Sequence, residues 1–206
     1  MIKLLFAMGG PMVRAGAETM VMRYIRELVK YGDFEISILI HAEETEIGDY
    51  DQEIEKLGVE IYRVSRRGKN PFVYSRNLDS FFEKHKFDIV HCNMDAACGV
   101  FLSSAQKAKV PVRIAHSHLT TYQATNPIKR VAGMISKSKI SDVATHRFAC
   151  SKQAGYFLFD GKDFAIINNA LDLNEYLEDS TAAAFLRDKY QIKDDELVIG
   201  HIGRFL

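Results

Sequence analysis

Apolar runs of strand length alternate with amphipathic segments of helix length along most of this 206-residue chain. The first run, residues 2–8 (IKLLFAM), is apolar apart from Lys3, the pattern of a strand covered on both faces. Beyond a glycine-containing loop, Ala17, Met20, Val21, Tyr24, Ile25, Leu28 and Val29 fall on one helical face. Arg23, Arg26, Glu27 and Lys30 lie on the other, and Gly32 supplies a stop. The alternation predicts a strand at 34–41, a short helix at 49–57 ended by Gly58, a strand at 59–64, a helix opened by Pro71 and reaching about residue 86, and a strand at 89–93. It then predicts a helix at 99–107, a strand at 112–117, a helix at 128–143, a short strand at 147–149, a helix capped by Ser151 and ending at 159, and a strand at 164–168.

Strands spaced by helices predict an α/β fold with a doubly wound parallel sheet, Rossmann-like, because parallel neighbours need crossover connections. After Leu171 the texture changes to a polar connector, an Ala-rich helix at about 181–190 and one isolated strand at 197–202. The expected division is therefore a Rossmann-like domain over 1–170 and, over 171–206, a connector with the first strand of a further domain. The isolated strand reads as the beginning of something longer.

Composition adds boundaries to this picture. Hydrophobic residues at 47% and charged residues at 26% suit a globular core that needs no crosslinks. Net charge is zero, so no bulk field favours nucleic acid, and no basic stretch is interleaved with aromatics for single-strand binding. Cys92, Cys98 and Cys150 are odd in number and lack CxxC spacing, which fits thiols of a reducing compartment. The first eight residues lack the features of a secretory signal, and no uncharged run of 18 apolar residues occurs, so a cytoplasmic protein is expected.

Three constellations could carry chemistry. The loop holding Gly9, Gly10 and Gly16, with Glu18 just beyond, joins the first strand to the first helix. Ligands of open parallel sheets bind at that edge, where glycines admit close approach and a helix N-terminus favours anions. The alternative is a turn whose glycines serve backbone geometry alone. The spacing is not GxGxxG, so Glu43 after the second strand carries little weight as a ribose-binding acid. His116 and His118 close the fifth strand, two apart and hence on one side of an extended chain, with His91 and Cys92 at the end of the fourth. Sugar or phosphate contact, a structural role and a metal site are the readings open to them. Residues 128–140 (IKRVAGMISKSKI) hold Lys129, Arg130, Lys137 and Lys139, no acid, and an interleaved stripe of Ile128, Val131, Ile135 and Ile140. Such a helix could meet anionic lipid or a phosphorylated acceptor, or be a solvated surface. Arg66, Arg67 and Lys69 form a second basic cluster, read as solvated surface. No GxSxG and no activated cysteine context occurs.

Taken in order, several segments resemble the retaining glycosyltransferases of family 4, which have the GT-B fold, in particular the bacterial polysaccharide-assembly branch. Ala15-Gly16-Ala17-Glu18 is similar to the family's GGxE loop, with Ala15 in place of its first glycine. Asp88-Ile89-Val90-His91 resembles its D-hydrophobic-V-H strand. Ile114-Ala115-His116-Ser117-His118 resembles the strand ending in a functional histidine, and Phe148-Ala149-Cys150-Ser151 the V-x-x-S strand. Residues 166–172 (IINNALD) resemble the segment closing the N-terminal domain, though Asn169-Ala170 replaces its Asn-Gly pair. Gly203-Arg204-Phe205 resembles the turn opening the donor domain.

The resemblance implies the acceptor-binding N-terminal half of a two-domain enzyme, with a nucleotide-sugar donor and a saccharide or lipid-linked acceptor. His116 is the implied catalytic residue, facing the cleft with few core contacts, and His118 is the alternative for that place. Gly9, Gly10, Gly16, Glu18, His91, His118, Asn169 and Arg204 are the implied substrate contacts. No metal or other cofactor is implied, since cationic side chains and helix dipoles would neutralise the departing diphosphate. The family's E-x7-E motif and its lysine after the Gly-Arg turn are missing from the sequence, so the chain alone is expected to be inactive. Peripheral attachment to the inner face of a membrane through Lys129, Arg130, Lys137 and Lys139 remains part of this expectation. The alternative is a stand-alone Rossmann-like binding module. A nicotinamide-dependent oxidoreductase is a third reading, without its fingerprint.

Overall fold

Seven strands form one parallel sheet in the order β3-β2-β1-β4-β5-β6-β7. They are β1 (Ile2–Met8), β2 (Phe34–His41), β3 (Glu60–Val64), β4 (Ile89–Asn93), β5 (Val112–Ser117), β6 (His146–Ala149) and β7 (Ala165–Ile166). The computed structural model describes residues 1–65, 70–173, 177 and 179–201. The strand order reverses between β1 and β4, the switch point at which doubly wound sheets open a crevice.

The expected Rossmann-like architecture is present, and its cause lies in the alternate faces of the central strands. Leu4, Phe6 and Met8 of β1 join Ile36, Ile38 and Ile40 of β2 in one core, beneath Met20, Val21 and Ile25 of α1 (Gly16–Tyr31) and Ile54 of α2 (Asp51–Lys56). Leu5 and Ala7 face the other way, with Leu39, Val90 and Cys92, under α3 (Pro71–Lys84) and α4 (Cys98–Lys107), which supply Leu78, Phe82, Phe101 and Leu102. Double coverage explains why β1 reads as a continuous apolar run. Truncating a fully buried ring such as Phe101 costs about 3–5 kcal/mol.

Local signals set the helix ends. Gly32 adopts φ 70° after α1 and donates to Val29 O. The Asn70 and Asn126 side chains cap α3 and α5 (Pro127–Ser138), each with proline in the first turn. Ser151 caps α7 (Lys152–Phe159), and Asp179 caps α8 (Ser180–Tyr190). The helix expected over 128–143 is divided: Lys139 N bonds Ser136 O at 3.2 Å, a tightened i−3 closure, and α6 (Ile140–Val143) follows.

The chain divides into two compact units, Met1–Ala170 and Leu171–Leu206. In the second, residues 197–201 carry no strand, a correction to the strand expected at 197–202, and Leu197 and Ile199 are exposed. Apolar residues make a strand only when another backbone pairs with them, and none of the described residues does so here. Residues 202–206, including Arg204, and the Arg66, Arg67, Lys69 cluster lie outside the described residues.

One close approach anchors α5. A Cβ added to Gly99 would stand 1.7 Å from Ser136 O, and Val100 N donates to Ser136 Oγ at 3.1 Å. Gly99→Ala should therefore destabilise by about 1–3 kcal/mol, at about 2–4 °C of Tm per kcal/mol. Gly10→Ala, where an added Cβ meets nothing within 4 Å, should leave the melting curve unchanged. Calorimetric melts of the two variants check this, and an unshifted Gly99→Ala would refute the tight packing.

Candidate functional site

At the carboxyl edge of the sheet the helices stop covering the strands, and polar side chains begin. Along the row β1–β4–β5–β6, rings stack on one face of the sheet. Phe6 lies 5.3 Å from His91, His91 stacks on His116 at 5.1 Å, and Phe148 stands edge-on to both at 5.9 Å. His118 leans on His116 at 4.3 Å. The i, i+2 spacing of His116 and His118 places both rings on this row, so the structure brings His91, His116 and His118 together.

Hydrogen bonds fix the cluster. His91 Nε2 and His116 Nδ1 are 2.9 Å apart, so one carries the proton and the other accepts it. In either tautomer His116 Nε2 is buried with no partner among the described residues. His118 Nε2 donates to Asn93 Oδ1 at 3.0 Å, and Asn93 Nδ2 donates to His91 O. Asp95, in the left-handed region at φ 47°, accepts from His118 N at 2.7 Å and Leu119 N at 2.9 Å and so clamps the turn after β5. Burial raises the Asp95 pKa against the lowering pull of those two amides. Burial also drives the imidazoles neutral. His91 is lowered to about 3 by burial with His118 adding, His116 to about 2 by burial and then by both neighbours, and His118 to about 4 by burial.

His116 is wholly buried among rings, which corrects the expectation of a cleft histidine with few core contacts. Strand residues directly opposite one another share cover, and Phe148 on β6 is the partner of His116. His118, past the strand end, is the partly exposed ring. Sequence reasoning missed Asn93 and Asp95, although both are polar residues at the end of a buried strand, which was the available signal. It also missed His41, whose Nδ1 donates to Met8 O at 2.7 Å and whose Nε2 accepts from Tyr74 at 2.7 Å, tying β2 to β1 under the glycine loop.

That loop is braced from one side and open on the other. Tyr50 N donates to Met12 O at 3.0 Å, Arg14 N to Asp49 Oδ2 at 2.8 Å, and a Cβ on Gly48 would stand 2.7 Å from Met12 N and O. Gly10 and Gly16 have neither a positive φ nor a neighbour that an added Cβ would meet. Neither backbone geometry nor packing demands glycine there, so what the residue type provides is free space before the loop. At Gly9 the nearest atom to an added Cβ is Met94 Cγ at 3.9 Å, which places the loop over the end of β4. Glu18 is half-buried in the first turn of α1. Asn169 is exposed beyond β7 and has no recorded contact with the histidines. Among the described residues no group of three or more His, Cys, Asp or Glu is disposed to hold a metal. The imidazole nitrogens of the cluster bond each other and Asn93 instead of converging.

Comparison with known proteins gives four matches. The sequence profile described as Glycosyltransferase Family 4 matches residues 14–175. The putative glycosyltransferase EpsF of Bacillus subtilis is 32% identical over 202 residues, which cover 94% of this chain and 52% of that protein. Anabaena HepE, solved in complex with UDP and glucose, superposes with a TM-score of 0.65 at 16% identity over 92% of this chain and 50% of its own. S. aureus MnaA, solved with UDP, superposes at 0.57 with 17% identity over 94% and 52%. The chain thus spans about half the length of these relatives.

The neutral cluster generates a pH prediction. With folded-state pKa values depressed below the ordinary 6.5, the unfolded chain binds more protons than the folded one as pH falls from 7. Stability should therefore fall on acidification, by about 1–2 kcal/mol for each of His91 and His116 between pH 7 and pH 5. Urea melts at the two pH values test this; equal midpoints would show that the rings are free to ionise.

Proposed function

The chain belongs to glycosyltransferase family 4, and from that premise we propose that it forms the acceptor-side half of an enzyme moving a sugar from a nucleotide donor to a saccharide or lipid-linked acceptor. In this reading an acceptor hydroxyl forms a bond to the anomeric carbon as the bond from that carbon to the diphosphate breaks, and the nucleoside diphosphate departs, its released oxygen taking up the hydroxyl proton. The observation that carries the reading is the open glycine loop after β1 at the switch point, where a Cβ on Gly10 or Gly16 would meet nothing, with the end of β4 beside Gly9. The amino end of α1, which begins at Gly16, favours an anion there. UDP in the HepE and MnaA complexes supports a nucleoside diphosphate as that anion. Residues 171–206 would lead into the donor-binding half, with Arg204 among its cations. No metal is called for, because side-chain cations and helix dipoles suffice for the leaving group. Surface polysaccharide assembly at the cytoplasmic face of a membrane is the proposed setting. No helix among the described residues is long and apolar enough to cross a membrane.

Roles within the cluster follow from exposure. His118, partly exposed and held by Asn93 and Asp95, is proposed to meet the sugar or pyrophosphate. His116, the catalytic residue implied by resemblance, would act from beneath, positioning His118 and His91. Asn169 and Glu18 remain proposed contacts at the rim. Loss of a hydrogen bond to a charged group costs roughly 1.5–3 kcal/mol, or about ten- to a hundredfold in rate.

The test uses the protein that carries this chain together with a donor-binding half. His118→Ala should lower kcat by that factor at a stability cost of about 1 kcal/mol for the lost Asn93 bond, whereas His116→Ala, at a wholly buried ring, should lower stability further as well as turnover. An undiminished rate in His118→Ala removes it from the site. The 206-residue chain alone should turn over no nucleotide sugar and bind nucleoside diphosphate no tighter than about millimolar, or 4 kcal/mol. Micromolar binding in a calorimeter would relocate the donor site to this half.

A further inference from the structure

Helix α5 is mounted with its polarity reversed. Its small residues face the protein. Ser136 is buried against Gly99, and a Cβ on Gly133 would stand 3.3 Å from Tyr122 and 4.0 Å from Ala96. Its large apolar residues face away: Ile128, Val131, Met134 and Ile135 are 79%, 54%, 51% and 58% exposed. At 100° per residue these four occupy one continuous face, and the Gly99–Ser136 approach leaves no freedom to roll it inward. Three exposed cations, Lys129, Arg130 and Lys139, surround the face. Lys137, grouped with them in the sequence, turns the other way: its side chain is 13% exposed, bonded to Asp160 at 2.7 Å and set over the Phe157 ring. From residue 96 to 141 the chain contains no Asp or Glu, so no acid of this stretch offsets the three.

We propose that the outward face of α5 docks on an anionic lipid bilayer, with Ile128, Val131, Met134 and Ile135 entering the boundary of the acyl chains and Lys129, Arg130 and Lys139 meeting the headgroups. The charge of the rim selects this occupant over a neutral apolar partner, and the spacing of the four apolar side chains matches an interfacial helix lying in the membrane plane. The inward side of α5 packs on the 3₁₀ turn Asp95–Ala97, and Asp95 of that turn holds the His118 loop, so the docked helix would adjoin the segment that carries the cluster. The inference deepens the reading of a lipid-linked acceptor, yet its readout is binding, which needs no sugar transfer, so the two can fail separately.

The chain is pelleted with phosphatidylglycerol–phosphatidylcholine vesicles and with pure phosphatidylcholine vesicles, at low and high salt. Wild type should pellet with the anionic vesicles and be largely released by salt. Lys129→Gln/Arg130→Gln/Lys139→Gln should lower the partition coefficient on the order of a hundredfold. Val131→Ser/Ile135→Ser should also lose binding while melting normally, since both side chains are exposed. The sequence contains no tryptophan, so Val131→Trp gives a single reporter whose emission should shift to the blue with anionic vesicles only. Absence of wild-type pelleting, equal pelleting of the variants or an unmoved emission overturns the proposal. So does a dimer in lipid-free solution that Val131→Ser/Ile135→Ser disperses, which would assign the face to a second copy.

Discussion

A parallel strand with helices on both sides has nowhere to place a polar side chain until it emerges past them, and that constraint organises the carboxyl edge of this sheet. On β1 the apolar succession runs to Met8 and gives way to Gly9. On β4 and β5 polar residues begin before cover ends, and they are histidines and asparagine that satisfy one another. Ionised groups at these depths would be heavily penalised. Neutral imidazole bears donor and acceptor on one flat ring that also packs as an aromatic, so a row running Phe6, His91, His116, Phe148 can continue the core while carrying hydrogen bonds toward the opening.

Seen this way, the unpaired nitrogen of His116 and the left-handed backbone of Asp95 belong together. An unsatisfied buried polar atom costs about 1–3 kcal/mol, and a non-glycine residue at positive φ adds strain of similar order. Both lie at the carboxyl ends of the neighbouring strands β4 and β5, although other buried atoms without a partner, such as Arg63 Nε and Arg147 Nε, and other positive φ angles, at Lys109 and Asp160, lie elsewhere in the fold. Two such features on adjoining strand ends fit a site held in place by its surroundings.

Much of this was legible in the sequence. The continuous apolar β1, the stop at Gly32, Pro71 with Asn70 before it and the Ser151 cap all rest on interactions within a few residues, and each is found where local pattern puts it. What escaped depends on neighbours distant in the chain. The depth of His116 is decided by Phe148 on the next strand, and the direction of Lys137 by Asp160 on another element. Residues 197–201 have the composition of a strand, but composition supplies no pairing partner. Asp95 was overlooked for a similar reason: its partners, the amides of residues 118 and 119, become visible only when β4 and β5 lie side by side.

The contact between Gly99 and Ser136 has a mechanical corollary. Two helices in backbone-to-side-chain contact, with no methyl group between them, possess no compliant layer that could absorb rotation. α5 packs on α4 and on the short turn before it. That turn grips the amides of residues 118 and 119 through a single carboxylate oxygen. The seat of α5 at Gly99 and the Asp95 clamp on the His118 loop thus lie on one short stretch of chain, residues 95–99, so the two cannot be altered independently of that stretch.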